Sequence, residues 1–154
     1  MKWILTIIAF VTIIPLNAQN NSAALFKRNN ISLTGNLLYG ATLNYERIIS
    51  EHQGKFYNSN ILRIAGGMEL GTGFDAVYMA LLYQHFYGKK ANHLEWVIGP
   101  TIAFKYRSFS ANNLLILPVV NIGYRYQKPG KNFLFRTGIG FPQIVYAGLG
   151  VSFG

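Results

Sequence analysis

By residue type, the strongest candidates for ligating a metal or relaying a proton are His52, His85 and His93. No acidic residue stands three or four positions from any of them, and the chain has no cysteine, so the sequence predicts no metal site. All three fall beside turns at one end of the molecule, where histidines also suit an interface. A Ser–His–Glu hydrolase needs its serine and histidine within reach of one proton relay. Glu46 and Glu95 are available carboxylates, but Ser108 and Ser110 belong to the opposite end from His85 and His93. The Gly-x-Gly runs at Gly71–Gly73, Gly138–Gly140 and Gly148–Gly150 have no helix after them. They therefore lack the helix N-terminus that makes such a run a phosphate cradle, and fit instead as glycines that let strands curve. No cofactor is called for.

The remaining chemistry-bearing residues are charged, and their spacing says where they must lie. From Ile31 to the end the chain alternates with a period of two, the signature of strands. Ile31, Leu33, Leu43 and Tyr45 share one side; Ser32, Thr34, Thr42, Asn44 and Glu46 share the other. Leu62 and Ile64 oppose Arg63, with Glu69 on the same side as Arg63. Leu94, Trp96, Ile98, Ile102 and Phe104 oppose Glu95, Lys105 and Arg107. Ile122, Tyr124 and Tyr126 oppose Gly123 and Arg125; Phe133 and Phe135 oppose Leu134 and Arg136. Ala76–Tyr87 is apolar on both sides, and its faces stay unassigned. One side of nearly every strand is thus bulky and apolar, while the other carries small residues and charge.

The aromatic side is too long and uniform to fit inside a small sheet. Turned outward it suits lipid, and the charged side then lines a narrow lumen. In lipid every backbone polar group must be paired, which only a closed barrel achieves with strands. Charged residues make up 12% of the chain, against roughly 25% for an ordinary globular protein. The expectation is an all-β fold, an eight-stranded antiparallel up-and-down transmembrane β-barrel over residues 31–154. The count of eight needs a hairpin within Asn36–Ala41, with Gly35 and Gly40 as turn candidates. Its lumen would hold an ionic network of Glu46, Arg63, Glu69, Glu95, Lys105, Arg107, Arg125 and Arg136, with Glu69 and Glu95 among the arginines. Leu115, Leu117 and Leu134 would fill the rest.

Lys128-Pro129-Gly130-Lys131 fits a type II turn, with proline presetting φ and glycine taking the positive φ. Closing it directly pairs Tyr126 with Phe133 and Tyr124 with Phe135, and sets Gly123 opposite Arg136. Trp96, Tyr124, Tyr126, Phe133, Phe135 and Phe153 would form a membrane-interface belt. Lys89, Lys90, Lys128 and Lys131 gather on two turns of one rim, as contacts for anionic headgroups worth about 1 kcal/mol each.

Residues 1–18 read as a secretory signal peptide: basic Lys2, a fourteen-residue apolar run Trp3–Leu16, and a small residue, Ala18, before the cut. That run is short of the roughly 20 residues of a spanning helix. Residues 19–30 read as a flexible lead-in. The chain has 14 basic and 5 acidic side chains, net +9; without Lys2 the balance is 13 to 5, or +8. Export and the lack of any nucleic-acid motif argue against a nucleic-acid partner.

The segments "TLNYERI", "HFYGKKANHLEWVIGP", "NIGYRYQKPGKNFLFRTGIG" and "YAGLGVSFG" resemble a family of small outer-membrane β-barrel proteins of Gram-negative bacteria. The resemblance covers Ile31–Gly154. It implies an outer-membrane location, membrane lipids and lipopolysaccharide as surroundings, and insertion by the barrel-assembly machinery through the C-terminal strand. Many such barrels end on an aromatic residue; here Gly154 follows Phe153. No reaction comes with the family. The function expected is structural or interactive. The alternatives are a membrane-embedded enzyme modifying lipid or lipopolysaccharide, and a secreted soluble barrel holding a small apolar ligand.

Overall fold

A period of two puts one chemistry on each face of a strand, so the fold depends on which face is enclosed. The computed structural model describes residues 26–37, 40–53, 55–69, 76–105 and 114–154. Its strands are β1 (Asn29–Asn36), β2 (Gly40–Gln53), β3 (Tyr57–Glu69), β4 (Ala76–Lys89), β5 (Asn92–Lys105), β6 (Leu114–Gln127), β7 (Phe133–Phe141) and β8 (Ile144–Phe153). Each pairs antiparallel with the next, and β1 pairs with β8, so the sheet closes into an up-and-down barrel of eight strands. No helix occurs among the described residues. The stretch expected to be a signal peptide, residues 1–18, lies outside them.

The charged and small side chains point inward. Arg63, Arg125, Arg136, Glu46 and Glu95 are buried, while Leu33, Leu43, Ile116 and Leu149 stand at least 58% exposed on the outer wall. This is the reverse of the arrangement in a water-soluble barrel. β4 follows the same rule: Val77, Met79, Leu81, Tyr83 and Tyr87 face out, and Ala76, Ala80, Leu82, Gln84 and Phe86 are buried. Its small alanines and its lone glutamine mark the inner face.

The first hairpin falls where parity demands an odd-length connection, between the end of β1 at Asn36 and the start of β2 at Gly40. Gly35 and Gly40 flank that turn as strand residues instead of forming it. β1 begins at Asn29, two residues before the expected start, and the lead-in contributes a buried side chain, Phe26. A bulge in β2 between Ile48 and Ser50 leaves Ile49 and Ser50 both exposed.

The Pro129-Gly130 turn closes as expected. Lys131 N donates to the Lys128 carbonyl at 3.1 Å, and Gly130 has φ 72°. The register beyond it differs from the direct closure by two residues: Tyr126 pairs with Phe135, Tyr124 with Thr137, Arg125 with Arg136, and Gly123 with Gly138. The strand ends keep to their outer neighbours. Gln127 N donates to the Ala91 carbonyl at 2.9 Å, and Ser152 N donates to the Asn132 carbonyl at 2.7 Å. A slip of two preserves every side chain's face, so inside and outside are unchanged.

Candidate functional site

Five inward positions on five strands converge at mid-barrel: Glu46 from β2, Arg63 from β3, Glu95 from β5, Arg125 from β6 and Arg136 from β7. Buried charge is tolerated only when paired and fully hydrogen-bonded. Arg125 donates from Nη1 to Glu46 Oε2 at 2.8 Å, and Arg136 Nη1 donates to Glu46 Oε1. Arg136 turns its other edge to Glu95 Oε1, from Nη2 at 2.7 Å and Nε at 3.1 Å. Tyr146 Oη donates to the same oxygen at 3.1 Å, and Gln84 Nε2 donates to Glu95 Oε2 at 3.0 Å. Gln127 accepts from Arg125 Nε and Nη2 at 2.8 and 2.7 Å, and donates to Ser152 Oγ at 2.9 Å. Each carboxylate thus lies between two guanidinium groups, with neutral side chains taking the remaining hydrogen bonds.

Toward the end that carries the termini, an aromatic layer seals the lumen. Phe26 packs edge-on against Phe86, His93 and Tyr57, with ring centroids 5.3, 5.4 and 5.7 Å apart. The Arg125 guanidinium lies 5.1 Å from the Phe86 centroid, so the plug and the ionic layer share a contact. Tyr146 reaches Glu95 because Gly123 and Gly138 lie beneath its ring. A Cβ at either would come within 2.4 or 2.6 Å of Tyr146 Oη. The opposed glycines therefore make room for a tyrosine; Arg136 has Arg125 across from it instead of Gly123.

Arg63 stands apart from the ion pairs. Its Nε donates to Asn44 Oδ1 at 2.9 Å and its Nη2 to the same oxygen. Glu69 is also separate: it sits at the far end of β3 and accepts from Asn36 Nδ2 at 3.3 Å, not from an arginine. The expectation that Glu69 joins the arginines is corrected. Its place at the strand end carries it several rungs above the charged layer. Lys105 ends β5 half-buried; Arg107, Ser108 and Ser110 lie outside the described residues. Leu134 is fully buried, and Leu115 and Leu117 are half-buried.

The histidines point three ways. His93 is buried in the plug, where its Nε2 bonds the Gln127 carbonyl at 3.2 Å. His85 lies on the outer wall beside Trp96, its Nδ1 2.8 Å from Asn60 Oδ1, and His52 is exposed. Among the described residues no three metal-ligating side chains converge. Lys89, Lys90, Lys128 and Lys131 are all exposed at the termini end, and Lys89 Nζ sits 4.4 Å from the Phe56 ring centroid. Trp96, Tyr124, Phe133 and Phe153 are exposed on the wall; Tyr126 and Phe135 are half-covered there.

No family model matches the chain, and no curated protein or solved structure matches it either. The geometry is that of a stopper, with two successive layers closing the lumen. Sequence reasoning missed Gln84, Gln127, Asn44, Tyr146 and Phe26. Gln84 was visible as the lone amide of an apolar strand. Phe26, a single aromatic in a polar stretch, left no periodic signal.

Proposed function

We propose that the protein is an integral outer-membrane β-barrel with a side-chain-filled lumen, serving a structural or interaction role without catalysis. The observation that carries this reading is the inverted wall: large apolar side chains stand exposed on all eight strands while arginine–glutamate pairs are sealed inside. An exposed apolar surface of that extent costs about 25 cal/mol per Å² in water, and lipid removes the cost. The closed ladder supports it too, since a barrel leaves no sheet edge in hydrocarbon. Seven of the eight strands are 9 to 14 residues long, matching or exceeding the roughly 9–11 that a bilayer requires, and β1 has 8. The lysine-bearing rim would meet anionic headgroups, with membrane lipids and lipopolysaccharide around the wall and the assembly machinery reading β8.

The test is fractionation of cells producing the full chain, with heated and unheated samples compared on gels. The expected result is recovery in the outer-membrane fraction and faster migration of the unheated protein. Recovery as a soluble periplasmic protein would overturn the proposal and favour a soluble barrel.

A further inference from the structure

The half of the lumen away from the termini is built differently from the half already described. One part of its lining is small and apolar, with Ala65, Ala80, Leu82, Ala103 and Val119; Thr42, Thr101, Asn121 and Gln143 add neutral polar groups, with Tyr78 and Glu69 toward the mouth. These side chains leave a cavity of about 30 Å³. A single water needs only about 10–15 Å³ measured in this way.

Arg63 lines that cavity while itself 2% exposed. Asn44 takes one edge of its guanidinium, through Nε and Nη2. Nη1, on the other side of the plane, has no partner among the described residues. Among the described residues no carboxylate forms an ion pair with Arg63, whereas Glu46 and Glu95 are both engaged by Arg125 and Arg136. The buried layer therefore carries one more positive charge than negative, and the surplus sits at the floor of the cavity. A buried guanidinium with an unused donor is costly unless something accepts from it.

We propose that this half-lumen is a binding site for a small aliphatic monocarboxylate, its headgroup received by Arg63 Nη1. One surplus charge matches a monoanion. Glu69, toward the mouth of the same cavity, repels any anion, and repels a doubly charged phosphate or dicarboxylate more than a monocarboxylate. The alanine and valine walls favour a short alkyl chain over a hydrated inorganic ion. The site does not depend on the membrane reading, because Arg63 and its alanine and valine walls are buried inside the barrel.

The experiment uses the full barrel refolded in detergent micelles with ¹⁵N-labelled arginine, observing the Arg63 side-chain Nε–H signal. Sodium propionate is titrated against sodium chloride at constant ionic strength. Propionate is expected to shift the Arg63 signal saturably, with an affinity at least tenfold tighter than chloride, while the Arg125 and Arg136 signals stay in place. Ala103→Leu fills the cavity without touching the ionic layer and should weaken propionate at least tenfold. Unmoved Arg125 and Arg136 signals certify that this variant is folded; Ala80→Val serves the same purpose if it is not. A linear, unsaturable shift, or equal affinity in the filled variants, would overturn the site. Equal affinity for chloride would overturn the carboxylate assignment.

Discussion

Glu95→Ala removes the most heavily bonded acceptor in the lumen. In the wild type its two oxygens take two bonds from Arg136, one from Tyr146 and one from Gln84. Without it, Arg136 keeps only Glu46 and Gln84, and Glu46 alone must balance three buried arginines. Adding the lost bonds one by one overshoots, because the vacated volume admits water to the exposed guanidinium. The better guide is the cost of breaking a buried pair by deleting one partner, about 3–5 kcal/mol. Glu95→Gln keeps an acceptor for Arg136 and Tyr146 but sets an amide N–H toward Gln84, and should cost about 1–3 kcal/mol. Arg136→Met combined with Glu95→Ala should recover about 2 kcal/mol relative to the sum of the single changes. Urea unfolding from phospholipid vesicles measures each value, followed through Trp96 on the outer wall. Stability of Glu95→Ala within about 1 kcal/mol of wild type, or strict additivity in the double variant, would refute the network as a stabilising unit.

Ile98→Arg on the outer wall should cost about 2–4 kcal/mol in vesicles; equal tolerance of arginine at Ile98 and at inward Thr101 would mean the faces are reversed. Phe26→Ala should lose about 3–5 kcal/mol by the same unfolding assay, since the ring is buried among Phe86, Tyr57 and His93. Gly123→Ala should displace Tyr146 from Glu95, seen as a shift of the tyrosine ring signals in NMR spectra; an unchanged Tyr146 would contradict the tight fit. In planar bilayers the wild type should pass no steady large current, and such a current, altered by Arg136→Ala, would mean that the lumen is open.

Most of the architecture is legible because the period of two is visible in the chain and parity survives small errors. The two-residue slip between β6 and β7 shifts Tyr126 from Phe133 to Phe135 without moving either off the wall. What parity cannot supply is height along the strand. Glu69 shares its face with Arg63 but sits six residues further on, out of reach of the arginines. Nor does it reveal partners that need the closed ring. Gln127 bonds Asn30 across 97 residues, and Tyr146 bonds Glu95 across 51. Ala76–Tyr87 resists reading because leucine and alanine both count as apolar, and Leu82 and Phe86 turn inward beside Ala76 and Ala80 while Leu81 turns out.

The ion pairs span long stretches of chain. Glu46 bonds Arg125 across 79 residues and Arg136 across 90, and Arg136 bonds Glu95 across 41. No single hairpin contains these pairs, so a growing sheet gains none of them until its strands curl round in the right order. A ring closed with a strand missing or exchanged would trap arginines without their carboxylates, at a cost of several kcal/mol per ion. The buried charges therefore favour one closure of the barrel over the near misses.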